Sequence, residues 1–355
     1  LRAVVCDFVE AGFRWVHSQS VCLVCVSVLC VCYVSVFALM SAQCFCDLSS
    51  FFVNCSETNL SSSLVLPPLN TEFIDLSSCS LQSIPPLHTL WRLQTLLLAH
   101  NNIWKVETGT WVGLQSIQSL NLNGNRIREL NTSFSWGLDS LTHLFISHNQ
   151  LHTLQGLSFQ HLRSLEILDL QGNLISSIQS GSLRPLTQLR HLQLQNNLLQ
   201  SLQNNDFSVL QNLEFLDLSG NLIQDLPPWV FTPLHSLIFL NLQNNRLRHL
   251  RFQTLRSIPA QGTIIFLSQN PWECDCDLQR VFGKLGGVQR LNLHDREELH
   301  CAEPLALRGR HLMSLDTRLC VAETVTVLVI TLTVVVTVVG AIVTAERTRK
   351  KRPIS

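Results

Sequence analysis

Apolar residues recur along the middle of the chain in one frame, LxxLxLxxNxL, in which most of the other positions are polar. The asparagine steps by 24 residues six times in succession, at Asn101, Asn125, Asn149, Asn173, Asn197, Asn221 and Asn245. A weaker first copy has Cys79 in the asparagine place, and a last copy reaches Asn270. Leucines at the fourth and sixth positions point to one face, so each copy predicts a short strand and a turn. The nine registers predict stacked repeats, since one repeat cannot bury its own leucines.

Two further features predict how the stack closes. An amide both donates and accepts, so we expect each asparagine to bond the backbone of its own turn and of its neighbour. A second apolar pair closes the convex side at Phe159/Leu162, Leu183/Leu186, Phe207/Leu210, Phe231/Leu234 and Leu255/Ile258. The third repeat has Ser135 in place of the phenylalanine, with Phe134 and Trp136 beside it, which predicts a local adjustment. The nine strands predict a concave face about 38 Å long.

Cysteines follow the repeats in the segment NPWECDCDL, which contains Cys274 and Cys276, and again at Cys301 and Cys320. Together with the frame, this set resembles extracellular leucine-rich repeat proteins with cysteine-rich caps at both ends. The resemblance implies an α/β solenoid: a leucine-rich repeat horseshoe with a parallel concave sheet, an irregular or short-helical convex side and disulfide caps. It also implies the bonds Cys274–Cys301 and Cys276–Cys320.

The N-terminal cysteines Cys44, Cys46 and Cys55 resemble the matching cap with its first cysteine missing. The family pattern then pairs Cys44 with Cys55 and leaves Cys46 without its usual mate. Cys79 is one candidate mate. We favour a free, buried Cys79, because it occupies an inward asparagine position and buried free cysteine is common. By this reading residues 44–69 form the first cap, 70–270 the repeats and 271–320 the second cap.

Two apolar runs predict export and anchoring. Residues 21–40 carry no charge, follow Arg14 and His17, and precede the small residues Ser41 and Ala42, which is the order of a secretory signal. We therefore expect a signal region at 1–43, with an uncleaved anchor as the alternative. Residues 324–344 also carry no charge and would extend about 31 Å as a helix, enough to cross a bilayer.

Five basic residues lie in the tail at 345–355: Arg347, Arg349, Lys350, Lys351 and Arg352. Basic residues favour the cytoplasmic side, which predicts a single-pass type I protein of the plasma membrane with its repeats outside the cell. Thr333, Thr337 and Ala341 recur every fourth residue in the span, so this small-residue face could let another helix approach. The alternative is chance, because threonine is abundant in this segment.

Charge and composition narrow the function. The 25 basic and 25 acidic residues balance, and 46% of the chain is apolar, which argues against a disordered chain and a dedicated nucleic-acid binder. Residues 44–323 hold 18 basic and 22 acidic residues, a net charge of −4, which argues against general polyanion affinity. A basic cluster in the eighth repeat could still grip a heparin-like polyanion, although a solvated rim is favoured; it comprises Arg246, Arg248, His249, Arg251 and Arg256.

The candidate binding residues lie on the outward positions of the predicted strands. His143 and His191 fall two repeats apart, about 10 Å, too far to share a metal ion. We expect Phe145, Ile167, Phe215 and Phe239 to be exposed beside them, forming a docking patch for a protein. The alternative is that these bulky residues only pack against adjacent strands. No catalytic set, metal site or cofactor is expected, and Asn54, Asn59 and Asn131 are predicted glycosylation sites.

Two functions fit this plan. The first is a cell-surface recognition or adhesion protein without catalytic activity, which binds an extracellular or membrane protein through its repeats. The second is an auxiliary subunit of a membrane channel or receptor, acting through the span and basic tail. That layout resembles the leucine-rich repeat gamma subunits of calcium-activated potassium channels. A decoy form of a Toll-type receptor is a third option, and homo- or hetero-oligomers stay open.

Overall fold

The computed structural model describes residues 7–9, 12–14, 44–47, 49–58, 60, 67–315 and 318–350. The predicted signal core at 21–40 and the candidate glycosylation site Asn59 lie outside these residues. Strands β1 (Asp7–Val9) and β2 (Gly12–Arg14) form a separate antiparallel pair.

A sheet of twelve strands dominates the described part of the chain. Its members are β3 (Phe45–Asp47), β4 (Phe52–Asn54), β5 (Phe73–Asp75), β6 (Thr95–Leu97), β7 (Ser119–Asn121), β8 (His143–Phe145), β10 (Ile167–Asp169), β12 (His191–Gln193), β13 (Phe215–Asp217), β14 (Phe239–Asn241), β15 (Thr263–Phe266) and β17 (Leu291–Leu293). Strand β3 is antiparallel to β4, and every later neighbour is parallel. Two small parallel pairs lie outside this sheet: β9 (Thr153–Leu154) with β11 (Ser177–Ile178), and β16 (Trp272–Glu273) with β18 (Cys301–Glu303).

The parallel solenoid confirms the fold predicted from the repeat frame. The sheet is longer than the nine predicted strands, because β3 and β4 extend it before the repeats and β17 extends it after them. These three strands come from the cysteine-flanked segments, whose sequences do not carry the asparagine frame.

The core runs through the solenoid between the sheet and the convex turns. The central residue of each repeat strand points inward; Leu168 and Leu192, for example, have no exposed surface. The predicted convex pairs are buried as well, and the convex side is built of turns with one short helix, α1 (Phe252–Arg256). In the third repeat Phe134 fills the apolar place beside Ser135, while the Trp136 side chain is 54% exposed.

The asparagines form a continuous ladder of hydrogen bonds, as the frame predicted. The Asn173 side-chain amide donates to the carbonyl of Leu170 in its own turn and to that of Ile146 one repeat earlier. Its oxygen accepts from the Leu151 amide of the earlier repeat at 3.1 Å. Equivalent bonds recur from Asn101 to Asn270. Each asparagine therefore joins its own turn to the turn before it.

The residue that precedes each ladder asparagine adopts a left-handed backbone, with φ between 51° and 65°. This conformation turns the chain sharply out of the strand, and L-residues adopt it only at a cost. The positions are His100, Gly124, His148, Gly172, Asn196, Gly220, Asn244 and Gln269. Most are glycine, asparagine or histidine, which tolerate it best.

Disulfides close both ends of the solenoid. Cys44–Cys55 lies at the first end; Cys274–Cys301 and Cys276–Cys320 lie at the second, and these are the pairs implied by the family resemblance. The second cap contains helix α2 (Cys276–Leu285), whose first turn is capped by the Asp275 side chain, an acceptor from the Leu278 amide at 2.7 Å. A long helix, α3 (Arg318–Lys350), follows and includes Cys320.

Cys79 is a buried free thiol, which is the alternative favoured from the sequence. Its sulfur donates to the carbonyl of Cys55 at 2.9 Å, and its backbone amide donates to the Asn101 side chain. Burial raises the pKa of the Cys79 thiol above its ordinary value. Cys79 thus begins the ladder in place of an asparagine.

Candidate functional site

Five aromatic side chains form a row across the C-terminal part of the concave face. We call this set the aromatic row; it comprises His191, Phe215, Phe239, Phe266 and His294. The ring centroids of Phe215 and Phe239 are 4.4 Å apart and their planes differ by 4°. The other neighbouring rings are 5.0 to 5.8 Å apart. The row therefore forms one continuous aromatic surface.

The parallel register creates this row. His191, Phe215 and Phe239 are direct partners on β12, β13 and β14. Parallel strands lie about 4.8 Å apart, close to the stacking distance of flat rings, so residues at the same position of successive repeats can stack. Phe266 pairs with Asn241, the outward residue after Phe239, and His294 directly follows β17.

The remaining predicted binding residues continue the row toward the N-terminal end. Ile167 pairs with His143 on one side and His191 on the other, so it separates the two histidines. Phe145 lies on the same strand as His143, with ring centroids 6.4 Å apart. The structure thus places all six predicted residues on one continuous strip, on which Phe215 stacks on Phe239 and meets His191 edge-on.

The sequence predicted that the apolar side chains of the docking patch are exposed, whereas the structure shows them only partly exposed. Phe145, Ile167, Phe215 and Phe239 are half-buried, and none of them is among the strongly exposed apolar side chains. The stacked rings shield one another across the strands, which is the packing role weighed as the alternative. A partner would therefore contact one edge or face of each ring and not whole side chains.

Sequence reasoning missed Phe266 and His294. The outward columns of the prediction end at Phe239 and Asn241, one repeat before Phe266. His294 lies in the second cap, where no repeat frame applies. The usable signal for Phe266 was the frame itself, since Phe266 lies between Ile265 and Leu267, the inward residues of the last copy.

The concave face is acidic. Its outward strand positions contain Asp75, Asp169 and Asp217 but no lysine or arginine from β5 to β15. Each of these carboxylates accepts a hydrogen bond from the backbone amide two residues later. At the flank of the sheet beside the row, Arg190 is paired with Glu214 at 2.6 Å.

The basic cluster of the eighth repeat is divided among separate ion pairs. Arg248 contacts Glu303 at 3.5 Å, His249 contacts Glu273 at 3.3 Å, and Arg251 contacts Asp225 at 3.3 Å. The Arg256 guanidinium lies over a phenylalanine ring. These contacts favour the solvated rim over a polyanion grip.

The predicted glycosylation sites differ in how freely their amides face solvent. Asn131 donates its amide to the Val106 carbonyl and accepts from Ser133, and it is half-buried. Asn54 lies in β4 and accepts from the Ser56 amide. A glycan on Asn131 would have to displace its bond to Val106.

Helix α3 contains one stretch, Val327–Ala345, that is long and apolar enough to cross a membrane among the described residues. Thr333, Thr337 and Ala341 lie on its exposed surface. The hydroxyls of Thr333 and Thr337 donate to carbonyls three residues earlier, at 2.7 and 2.8 Å. They therefore present mainly methyl groups outward.

No group of three or more His, Cys, Asp or Glu side chains is arranged to hold a metal ion within the described ranges. Family comparison gives a leucine-rich repeat match over residues 92–151, 144–199 and 187–247. Toll-like receptor 13 of the mouse is 35% identical over 79 residues, which is 22% of this chain and 8% of that receptor. The chain thus matches only a small part of the length of that relative.

Two solved structures share the fold. Human 5T4, also named trophoblast glycoprotein or Wnt-activated inhibitory factor 1, is 25% identical with a TM-score of 0.59, covering 78% of this chain and 96% of that chain. A chain of the octameric complex of Latrophilin 3, Unc5D and the FLRT2 leucine-rich repeats is 24% identical with a TM-score of 0.58, covering 77% and 97%. Residues 92–247 are therefore leucine-rich repeats, and the solenoid that contains them is a leucine-rich repeat horseshoe.

Proposed function

We propose that this chain is a single-pass type I cell-surface protein that recognises a protein partner through its concave face. The aromatic row carries the proposal, because its rings contact one another across neighbouring strands, from β12 to the residue after β17, and remain partly open. Rigid aromatic side chains supply large contact areas at a small cost in conformational entropy. The contacts between neighbouring rings fix their orientation before a partner binds.

The charge and size of this face support a protein partner. With three aspartates and no cation on its outward strand positions, the concave face would repel a polyanion and attract a basic or neutral surface. A parallel sheet this long exceeds what a small molecule needs. Among the similar structures, FLRT2 is named in a complex with Latrophilin 3 and Unc5D.

The membrane part of the proposal rests on α3. The 19 residues of Val327–Ala345 would extend about 29 Å as a helix, close to the thickness of a bilayer core. The basic residues that follow favour the cytoplasmic side, leaving the repeats outside the cell. Extracellular oxidation is consistent with the three disulfides.

Proximity labelling on intact cells tests the recognition proposal. The full chain, fused to a labelling enzyme, should label a reproducible set of surface proteins, and Phe145→Ala/Phe215→Ala/Phe239→Ala should lose the direct partner. Because those rings are half-buried, a second variant, Asn241→Arg, adds a bulky cation to the face without removing a ring. Trp229→Ala, a 52% exposed side chain outside the concave strands, is the matched control.

The affinity is then measured from the binding of the purified partner to the purified chain. We expect both concave variants to weaken binding at least tenfold, while Trp229→Ala binds like the wild type. Unchanged binding by folded concave variants would exclude this face as the docking surface. Circular dichroism melting distinguishes lost binding from lost folding.

The span supports a second candidate, an auxiliary subunit that acts within the membrane. The Thr333 and Thr337 side chains, whose hydroxyls are bonded to the helix backbone, line a shallow apolar groove with Leu328, Val329, Leu332 and Val336. Small groups at such a position let helices approach closely. Replacing the span and tail with those of an unrelated protein distinguishes the candidates. Loss of activity would favour the auxiliary subunit, and retained partner binding would favour recognition.

A further inference from the structure

A second candidate site lies outside the concave strands, on the segments that follow the ladder asparagines in sequence. We call it the flank groove; it has a volume of about 570 Å³ and is lined by Gln82, Asn102, Trp104, Arg126, Arg128 and Gln150. That volume is within the range of small-molecule sites, about 300–1,000 Å³. The groove is separate from the aromatic row, so it does not depend on the proposed function.

The repeat register builds this groove from two columns. Asn102, Arg126 and Gln150 each directly follow a ladder asparagine, and their backbone amides bond the preceding repeat at 2.8 to 2.9 Å. The second column lies two positions further along each repeat and supplies Gln82, Trp104 and Arg128. The two guanidinium groups and the indole are thus fixed on adjacent turns of a rigid solenoid.

The indole and guanidinium groups that line the groove have stacking and hydrogen-bonding capacity that no described residue uses. The Trp104 side chain is 58% exposed, and no ring or cation stacks on it within the described structure. Arg126 is exposed and makes no side-chain hydrogen bond or ion pair to any described residue. Arg128 makes one bond, from Nε to the Gln150 oxygen at 3.3 Å, which leaves its terminal nitrogens available.

Trp91 and several exposed arginines outside the groove are already engaged by neighbouring side chains. The ring of Trp91 is covered by the Arg92 guanidinium at 4.8 Å. Arg190, Arg248 and Arg251 are each paired with a carboxylate. No carboxylate lines the flank groove, and the nearby Lys105 is paired with Glu107 at 3.0 Å. The groove is therefore a local cationic site on a domain of net negative charge.

The chemistry of the lining indicates the class of ligand. A guanidinium matches a carboxylate with two parallel hydrogen bonds. Side-chain amides donate and accept together, which suits hydroxyl groups, and three amides line this groove. The lining contains no aliphatic side chain, whereas peptide grooves need apolar pockets for alternate residues. The open indole face suits the flat apolar face of a sugar ring.

We propose that the flank groove binds a carboxylated saccharide, with Arg126 and Arg128 holding the carboxylate and Trp104 stacking on the sugar ring. The amides of Gln82, Asn102 and Gln150 would bond the hydroxyl groups. An acidic peptide is the competing ligand, and the experiment below separates the two.

The test uses the full chain in nanodiscs and isothermal titration with a hyaluronan tetrasaccharide, which carries carboxylates and no sulfate. Tetra-N-acetylchitotetraose, which is neutral, and an oligoglutamate of equal charge are the comparison ligands. The variants are Trp104→Ala and Arg126→Gln/Arg128→Gln. Trp136→Ala and Arg248→Gln are matched controls, because both side chains are exposed outside the groove. An Asn131→Gln background removes the neighbouring sequon as a source of saccharide.

We expect the hyaluronan tetrasaccharide to bind and each groove variant to weaken it about tenfold or more, since a lost charged hydrogen bond has effects of this size. The control variants should bind like the wild type, and tetra-N-acetylchitotetraose should bind at least tenfold more weakly. No hyaluronan binding, or binding unaffected by the groove variants, overturns the proposal. Oligoglutamate binding that the arginine variant abolishes, without saccharide binding, would assign the groove to an acidic peptide instead.

Discussion

The imidazole of His148 occupies the space that a side chain on Gly172 would need: its Nδ1 atom lies 2.7 Å from the ideal position of a Cβ there. The same relation joins two further pairs, His100 with Gly124 and Asn196 with Gly220. All six residues have positive φ, so a larger residue and a glycine alternate along this edge of the solenoid from His100 to Gly220. His100 and His148 therefore have structural roles, and a catalytic role is not needed to explain them.

Replacing Gly172 with alanine should lower the free energy of unfolding by about 2–3 kcal/mol. The left-handed backbone costs an L-residue about 1–2 kcal/mol, and the new methyl group also meets His148. Urea denaturation of the full chain, followed by circular dichroism, measures the change. Gly181→Ala is the matched control, because φ is +83° there but nothing lies within 4 Å of its Cβ. In a His148→Ala background the Gly172→Ala cost should fall toward that of the control; an unchanged cost would contradict the steric account.

Removing one ladder amide should destabilise the solenoid more than a typical core substitution. Asn173→Leu leaves the Leu151 amide buried without its side-chain partner, and it removes one of the two asparagine bonds that the carbonyls of Ile146 and Leu170 each accept, so we expect a loss of about 2–4 kcal/mol. Asn173→Cys should lose less, since a thiol can still donate one bond, as Cys79 does at the start of the ladder. Equal losses for the two variants, measured by urea denaturation, would show that the bonds themselves matter little.

The Cys79 thiol should resist alkylation while the chain is folded. Burial raises its pKa above the ordinary value of 9.0, so the reactive thiolate is scarce at pH 8. Iodoacetamide followed by peptide mapping should modify Cys79 only after unfolding. Its contribution to stability is present below pH 9.0 and is lost as the pH rises through the raised pKa. Cys79→Ser should remove this alkaline loss, and rapid alkylation of the native chain would contradict the buried position.

Asp206 should make the solenoid less stable at neutral pH than at mildly acidic pH. Its carboxylate is buried, which raises its pKa above 3.8, while its oxygen accepts from the Gln203 amide at 2.7 Å. A raised pKa gives a contribution that is complete below pH 3.8 and is lost as the pH rises through the folded value. Asp206→Asn keeps an acceptor without the charge, so its unfolding free energy should change less between pH 4 and 7. Parallel pH curves for the wild type and the variant would contradict this.

Much of the fold was predictable because the same pattern of residues recurs in successive repeats. Leu168 and Leu170 alternate as a strand requires, and Asn173 carries the donors and acceptor that the ladder uses. The caps were recognised by resemblance, but their strands β3, β4 and β17 were not predicted, since each occurs once. A single short strand has no repeated pattern to identify it.

The binding surfaces were harder to predict because they depend on neighbours that are distant in sequence. Phe266 joins the aromatic row because it pairs with Asn241 and reaches the Phe239 ring diagonally across two neighbouring strands. Trp104 and Arg128 share a groove because they occupy the same position of successive repeats. The sequence instead drew attention to the eighth-repeat basic cluster, where charges are dense along the chain but neutralised in space.

Because larger residues and glycines alternate along the left-handed edge, removing one repeat and removing two repeats have different consequences. Excising residues 149–172 would leave the ladder whole in kind, because Asn173 would take over the partners of Asn149, but it would seat Asn196 directly beside His148. Excising residues 149–196 would instead place Gly220 there and restore a small residue beside a large one. Between His100 and Gly220 the horseshoe should therefore gain or lose turns more easily in twos than singly.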